Sequence, residues 1–319
     1  MDEIRWGILG CGDVTEVKSG PALQQAGRST VTGCMRRDEA KAKDYAERHG
    51  IARWHGDAGA LIADETVDAV YIATPPDSHA ALAVQALRAG KPVLVEKPMA
   101  LDTAECDAMA DAAAQAGRPL IVAYYRRALP RFEALREIAT DGTIGTARAA
   151  EIRHFKRAGD RPGQGWKLDP AVGGGGWFAD MQTHTLDWLD HAFGPAEGMR
   201  GLVAAHDADY PAEDTVTWCA RFGDVTASGL CAYTVGEPAE SVTIHGSAGS
   251  ASMPFFGPGP VTIAKGGESE TRDLPDPRHV HLPFVERVVA HILDGAPNPC
   301  PPEAARRTNA ALEAIYGRA

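Results

Sequence analysis

Strand-like and helix-like segments alternate six times through the first 123 residues, and this alternation limits the fold more than any other feature of the sequence. The strand-like runs are short and apolar, as buried parallel strands are. They cover residues 4–9, 29–35, 67–73, 93–95 and 119–123. The alternation predicts an α/β fold with a doubly wound parallel sheet that binds a ligand at the carboxyl ends of its strands. With 319 residues, the chain has room for a second domain.

The first strand runs directly into a glycine turn, GCGDVT. In a dinucleotide-binding turn, Gly10 permits the tight bend and Gly12 lets a pyrophosphate approach the backbone, while Asp13 and Val14 begin a helix whose amides face the phosphates. Thr15 stands where a third glycine would be, so we expect helix and strand to lie slightly further apart. A GxG pair alone also occurs in purely structural turns, and its place after the first strand favours the dinucleotide.

The second strand ends at Arg36 and Arg37, where a dinucleotide fold meets the adenosine ribose. An arginine here pairs with the 2′-phosphate of NADP or stacks on adenine, whereas NAD is usually held by an acidic residue. The two arginines therefore favour NADP. The alternative is a charged helix start, because the segment from Asp38 to Gly50 has an N-cap, good helix formers and a terminal glycine.

The end of a further strand carries polar residues beside the predicted cofactor path. The run VDAVYIA stops at TPPDSH, which places Thr74 and Pro75 at the strand end and His79 just inside the next helix. A single histidine in this position is more often structural than catalytic.

The stretch KPVLVEKP delivers two charges, Glu96 and Lys97, from a short apolar strand into Pro98. A lysine at the carboxyl end of a parallel strand points into the ligand crevice, and the proline keeps the strand end extended. The neighbouring Glu96 must point to the opposite face, so we interpret it as an anchor of the strand end. The alternative is a solvated turn that merely ends the strand.

After residue 123 the pattern changes, and we predict a dinucleotide-binding domain over 1–123 and a second α+β domain over 124–319. Long segments from about residue 145 onward alternate apolar and polar residues, as a large, mostly antiparallel open sheet with one covered face does. A hairpin is predicted near Gly223 and Asp224, and FGPGP is predicted to be a loop. Two helices follow near the end, and we expect the last one to pack back on the first domain.

A second polar constellation lies on a helix predicted from Trp177 to Phe193, directly after four glycines. Asp180 and His184 are one turn apart and share a face, and a carboxylate beside an imidazole suits proton transfer near neutral pH. The same spacing would also suit a metal ligand pair or an ordinary polar helix face. The glycine run favours a ligand site, because it lets a bound molecule approach closely.

The composition excludes several classes of function. A net charge of -11 argues against unspecific binding to nucleic acid or to anionic membranes. The chain has no run of eighteen apolar residues, and its acidic start MDEIRW lacks the regions of a signal peptide, so we expect a cytoplasmic protein. Six scattered cysteines without a CxxC pair indicate reduced thiols, and we predict no metal site.

Four motifs in this order, GCG, TPPxxH, EKP and GGGxxxxDxxxH, resemble the glucose-fructose oxidoreductase, inositol dehydrogenase and rhizopine-catabolism (Gfo/Idh/MocA) family over almost the whole chain. The resemblance implies that three residues are catalytic, Lys97, Asp180 and His184. It also implies that Tyr125, Arg126, Trp166 and Lys167 contact substrate, and we predict the same of Gln182. From the glycine turn and the strand ends together with this resemblance, we predict that the cofactor is bound by Gly10, Gly12, Asp13, Val14, Arg36, Arg37, Thr74, Pro75, His79, Glu96 and Lys97.

Two departures from the family pattern affect this transfer. In this chain Gln182 stands where the family's DxGxH motif has a glycine. We expect this side chain to enter the pocket and alter substrate choice. Thr15 replaces the small third residue of the phosphate loop, and cofactor binding is expected to survive that change.

The family's chemistry implies reversible hydride transfer between C4 of NADP, or of NAD, and a carbinol carbon of a sugar, cyclitol or related polyol. Two other functions stay open: an NAD-dependent glycoside hydrolase or lyase that recycles its cofactor within each turnover, and an NADP sensor without catalysis. The resemblance also implies a homo-oligomer, a dimer or tetramer, assembled through the open face of the second sheet.

Overall fold

The computed structural model describes residues 2–157, 165–206 and 210–318. The chain divides into two compact units. The first unit comprises Met1–Ala128 and Pro277–Arg306, and the second comprises Leu129–Asp276 and Arg307–Ala319. The chain thus leaves the first unit, builds the second, returns to the first, and ends in the second. The predicted boundary after residue 123 stays a prediction.

A parallel sheet of six strands is the centre of the first unit. The strands are β1 (Ile4–Leu9), β2 (Ser29–Met35), β3 (Arg53–His55), β4 (Ala69–Ile72), β5 (Val93–Val95) and β6 (Leu120–Val122). Their order is β3-β2-β1-β4-β5-β6, and all adjacent pairs are parallel, which confirms the predicted doubly wound sheet. The order reverses between β1 and β4, and in such sheets the ligand crevice forms at this reversal.

Helices connect these strands. They are α1 (Asp13–Val17), α2 (Ser19–Gln25), α3 (Glu39–His49), α4 (Ala58–Ala63), α5 (His79–Arg88) and α6 (Thr103–Ala116). The ends of α3 are as predicted: Asp38 caps its first turn by accepting from the Lys41 amide at 3.2 Å, and Gly50 ends it at φ 66°. The short edge strand β3 was not predicted, because two of its three side chains are exposed and it has no apolar run.

The second unit contains an eight-stranded sheet. Its elements are α7 (Pro130–Thr140), β7 (Ala147–Phe155), α8 (Pro170–Gly173), α9 (Trp177–Phe193), β8 (Ala196–Ala204), β9 (Thr215–Phe222), β10 (Val225–Ala232), β11 (Ala239–Gly246), β12 (Ser250–Met253), β13 (Val261–Lys265) and β14 (Glu268–Arg272). The strand order is β14-β13-β12-β11-β7-β10-β9-β8. All pairs are antiparallel except β7 with β10, so the predicted mostly antiparallel sheet is confirmed.

Burial alternates along β9 and β10, so one face of this part of the sheet is covered and the other is exposed. The hairpin between these strands turns at Gly223 and Asp224, as predicted, with Gly223 at φ 54°. Strand β8 was missed because its sequence, AEGMRGLVA, contains two glycines and no regular alternation.

Two helices follow the second sheet, α10 (Leu282–Asp294) and α11 (Pro302–Ile315). The first of them lies in the part of the chain that returns to the first unit, and from Arg307 onward α11 belongs to the second unit. Among the residues with described structure, no helix has the length and apolar character that a bilayer crossing requires.

Candidate active site

The turn after β1 is tight at Gly10 and open at Gly12. Gly10 adopts φ 87°, and a Cβ at this position would lie 2.8 Å from the Thr74 amide nitrogen. At Gly12, by contrast, an added Cβ would meet only the Gly10 carbonyl oxygen, at 4.0 Å, among the described neighbours. Gly10 is therefore required by the protein's own packing, and the open side of Gly12 leaves room for a pyrophosphate.

Thr15 closes this turn from within. Its hydroxyl accepts a hydrogen bond from the Gly12 amide at 3.0 Å and donates to the Gly12 carbonyl oxygen at 2.8 Å. The Tyr45 hydroxyl, from α3, donates to the Thr15 carbonyl oxygen at 3.0 Å. The residue that replaces the expected third glycine thus ties the loop to α1, and α3 supports it from behind.

Arg36 and Arg37 lie exposed just beyond β2. The Arg36 Nη1 atom donates to the carbonyl oxygen of Cys11, in the glycine turn, at 3.3 Å. This contact brings a guanidinium to the turn itself. Asp38 is occupied as the N-cap of α3, as the sequence predicted.

His79 joins two strand ends. Its Nε2 lies 2.8 Å from the Thr74 carbonyl oxygen, its Nδ1 lies 3.0 Å from the Pro98 carbonyl oxygen, and the side chain is fully buried. Burial lowers the pKa of this imidazole. The ring therefore connects the turn after β4 with the turn that carries Lys97, while the predicted cofactor contacts of Thr74, Pro75 and His79 stay predictions.

Glu96 is a buried anchor directly before Lys97. Its carboxylate accepts a hydrogen bond from the Tyr71 hydroxyl at 2.6 Å and from the Lys97 amide at 3.2 Å. Burial raises the pKa of Glu96, and the Tyr71 hydrogen bond and the Lys97 charge oppose that rise. Glu96 therefore anchors the strand end, as the sequence predicted, and Lys97 follows it half-buried at the carboxyl end of β5.

Sequence reasoning missed His281, which lies beside these residues in the first unit. Its ring stacks on Tyr125, with centroids 4.2 Å apart and an interplanar angle of 24°, and its Nδ1 is 3.9 Å from Glu96 Oε1. The Arg126 guanidinium carbon is 5.5 Å from the centroid of the same Tyr125 ring. Only the return of the chain after the second unit brings His281 here, and no local motif marks it.

Two of the four glycines before α9, Gly175 and Gly176, are packed against the protein itself, which weakens our reason for expecting a ligand there. A Cβ on Gly175 would lie 2.5 Å from the Tyr316 hydroxyl, and one on Gly176 would lie 2.7 Å from the Glu213 carbonyl oxygen. The buried Glu213 carboxylate accepts from the Gly176 amide at 2.8 Å and from Tyr316 at 2.7 Å. These two glycines thus make room for an internal carboxylate at the start of the helix.

Helix α9 spans the predicted residues and carries both predicted catalytic side chains of the second unit. The Asp180 carboxylate accepts from Lys167 Nζ at 2.9 Å, and that ammonium lies 5.7 Å from the ring centroids of Trp166 and Trp177. His184 is buried on the same helix. Within the described ranges, no group of three or more acidic, histidine or cysteine side chains is arranged to hold a metal ion.

Gln182 lies between these two residues in sequence, but its side chain points to the sheet. It is fully buried, its Nε2 is 2.8 Å from Nδ1 of His154 on β7, and it donates to the Tyr233 hydroxyl at 3.4 Å. The His154 ring also stacks on Phe256, with centroids 4.4 Å apart. The described contacts of Gln182 are thus internal, and its predicted contact with substrate stays a prediction.

The predicted residues therefore form two groups, one in each unit. In the first unit, the glycine turn, Thr74, His79, Glu96, Lys97, Tyr125 and Arg126 lie at or just beyond the carboxyl ends of β1, β4, β5 and β6. In the second unit, Trp166, Lys167, Asp180, Gln182 and His184 lie on α9 or the short turn of residues 165–168. The chemical roles of all these residues stay predictions.

The sequence matches two protein-family models. The model of the oxidoreductase family with an NAD-binding Rossmann fold (GFO_IDH_MocA) matches residues 4–124, and that of the GFO/IDH/MocA C-terminal domain matches residues 132–252. The chain is 35% identical to oxidoreductase P35 of Formosa agariphila over 98% of both chains. It is 30% identical to trans-1,2-dihydrobenzene-1,2-diol dehydrogenase of Macaca fuscata fuscata, over 88% of this chain and 83% of that one.

Among solved structures, an aldose-aldose oxidoreductase from Caulobacter crescentus, complexed with glycerol, has a TM-score of 0.89. It is 24% identical and covers 99% of this chain and 97% of that one, which shows a shared fold. The two family matches together cover more than half of the sequence. The chain is therefore an oxidoreductase of the Gfo/Idh/MocA family, and its first unit is a Rossmann domain that binds a nicotinamide dinucleotide.

Proposed function

We propose that this protein is an NADP-preferring dehydrogenase or reductase that interconverts a carbinol and a carbonyl group in a sugar, cyclitol or related polyol. The observation that carries the proposal is the buried Glu96 anchor, which holds Lys97 at the carboxyl end of a central strand of the Rossmann sheet. The relatives support the substrate class, since one is named for a cyclic trans-diol and another for aldoses.

The residues of the glycine turn fit the dinucleotide, because Gly12 is open on the side where a Cβ would stand. In this proposal Gly10, Gly12, Asp13 and Val14 hold the pyrophosphate. Arg36 and Arg37 are exposed at the end of β2 and pair with the 2′-phosphate of NADP. When bound, the cofactor supplies or accepts a hydride at C4 of its nicotinamide.

Three side chains carry the proposed proton chemistry. Lys97 donates a hydrogen bond to the substrate oxygen and stabilises the negative charge that develops on it. His184 exchanges the hydroxyl proton, for which an imidazole is suited near neutral pH. Asp180 fixes the geometry of the polar group, and its hydrogen bond with Lys167 supports this positioning role.

Assembly through the open sheet face is part of the proposal. Leu202 on β8 and Leu230 on β10 are 75% and 44% exposed. Each is paired with Thr217 of the intervening strand β9, so the two leucines lie on the same exposed face of the sheet and form a patch there. Covering such a patch favours a homo-oligomer, a dimer or tetramer. A cytoplasmic location is also part of the proposal.

The principal experiment is a screen of polyols, aldoses and keto sugars that follows NADPH absorbance in both directions, with the wild type and a Lys97→Met variant. We expect turnover to be lost in Lys97→Met while NADPH still binds, because the cofactor's phosphate contacts are unchanged. Lys43→Met, at an exposed position on α3, is the matched control and should behave as the wild type. Near-normal turnover of Lys97→Met would remove Lys97 from the mechanism.

Cofactor preference has its own test. Arg36→Ser should raise the dissociation constant for NADPH about 10- to 100-fold, which corresponds to the free energy of one lost hydrogen bond to a charged group. The dissociation constant for NADH should change little, because NADH has no 2′-phosphate. Arg88→Ser, at an exposed position near the end of α5, serves as the control. Tighter binding of NADH than of NADPH by the wild type would overturn the proposed preference.

A further inference from the structure

The segment that returns to the first unit is fixed at the edge of the Rossmann sheet. The Val122 amide, on β6, donates to the Cys300 carbonyl oxygen at 3.1 Å, and the Asn298 side chain donates to the Leu120 carbonyl oxygen at 3.1 Å. Helix α10 buries one apolar face, with Phe284 and Val288 among its buried residues. The residue directly before this helix is therefore held in a defined place.

That residue is His281, which is 3% exposed. Its backbone carbonyl accepts the Val285 amide at 2.9 Å, so it begins the first turn of α10. Its ring lies over Tyr125, just beyond β6, and faces the carboxylate of Glu96, which directly precedes Lys97. Positive charges on Lys18, Lys97 and Arg126 act on the ring as well.

Burial, with these three positive charges, lowers the pKa of His281 to about 3. A histidine with this pKa is neutral throughout the physiological range. It then adds no fourth positive charge beside Lys97. The stack on Tyr125 and the approach of Nδ1 to Glu96 Oε1 suit a ring that holds these neighbours in place.

We propose that His281 is a positioning residue that fixes the Tyr125 ring and the Glu96 carboxylate, and that it thereby shapes the substrate side of the strand-end group. This inference rests on the proposed function, in which Tyr125 contacts substrate and Lys97 acts on it. It adds to the site a residue that lies more than 150 positions after Tyr125 in sequence.

Two substitutions separate the functions of the ring. His281→Asn removes the aromatic stack, and the KM for substrate should rise about 2- to 10-fold, the range expected from the loss of an aromatic pair. His281→Phe keeps a ring over Tyr125, and its KM should stay within about twofold of the wild type. In both variants kcat should change less than threefold, and the NADPH dissociation constant and the pH profile should stay the same.

A purely structural role would lower stability without this split between KM and kcat, so thermal unfolding is measured on the same samples. A hundredfold loss of kcat in His281→Phe, with the loss of one limb of the pH profile, would overturn the proposal in favour of direct proton transfer. An unchanged KM in His281→Asn would also overturn it.

A measurement that does not depend on turnover covers variants that fail to fold. Wild-type protein labelled with 15N-histidine is titrated by NMR, and the His281 signal is assigned as the one missing from His281→Phe or, if that variant is unfolded, from His281→Asn. The His281 nitrogens should keep the neutral pattern from pH 5 to 8, and a midpoint in this range would refute the inference. If the wild type turns over none of the polyols or sugars, the proposed function fails, while this titration still decides the state of His281.

Discussion

The pair of Tyr71 and Glu96 gives a prediction about folding that needs no knowledge of the substrate. Tyr71 lies on β4 with no exposed surface, and its hydroxyl donates to the buried Glu96 carboxylate at 2.6 Å. In Tyr71→Phe the carboxylate loses this donor but stays buried. Leaving a buried acceptor without its donor costs about 1–3 kcal/mol, so we expect the free energy of unfolding to fall by about that much at pH 7.

The loss should depend on pH, with a definite sign. Burial raises the pKa of Glu96 above its unfolded value, so this group favours the folded state most when it is protonated, below the unfolded pKa. That contribution is lost as the pH rises through the folded pKa. Tyr71 lowers the folded pKa, and its removal raises it further. Tyr71→Phe should therefore cost more at pH 7 than at pH 4, by about 1 kcal/mol.

Tyr45→Phe is a matched control in the same unit. Tyr45 is also buried, but its hydroxyl donates to the neutral carbonyl oxygen of Thr15 at 3.0 Å. Its loss should cost about 0.5–1.5 kcal/mol at either pH. The assay is urea unfolding at pH 4 and pH 7, followed by fluorescence and by far-UV circular dichroism, because two units need not unfold together. Equal losses for both variants at both pH values, or a larger loss for Tyr71→Phe at pH 4, would refute the reasoning.

Two further predictions concern α9. Gln182→Met keeps the side-chain volume but removes the hydrogen bond to His154, so we expect the free energy of unfolding to fall by about 1–3 kcal/mol. Unchanged stability would mean that this hydrogen bond contributes nothing. Gly176→Ala places a Cβ 2.7 Å from the Glu213 carbonyl oxygen and should lower the free energy of unfolding by about 1–3 kcal/mol. Gly236→Ala is the control, because no described atom lies within 4 Å of its new Cβ. In the same unfolding experiments it should be neutral or slightly stabilising. Equal effects of the two glycine substitutions would contradict the packing argument.

Local sequence determined most of the Rossmann sheet. Its strands are short apolar runs between glycine or proline turns, and backbone preferences with burial on both faces leave them few alternatives. The same holds for α3, whose cap residues specify both of its ends, and for α9, which spans the predicted residues. Four strands were missed, β3, β8, β13 and β14. Most side chains of β3 and all those of β14 are exposed, β8 contains two glycines, and pairing with a neighbouring strand establishes all four.

The sequence by itself also brought Lys97, Asp180 and His184 forward as candidates, because their positions at a strand end and along one helix face follow from local periodicity. Only the tertiary structure decided which partners surround them. The pairing of Glu96 with Tyr71, the return of His281 beside Tyr125, and the packing of Gly176 against Glu213 all join residues far apart in the chain. Such contacts depend on how whole elements pack, and no local pattern encodes that packing.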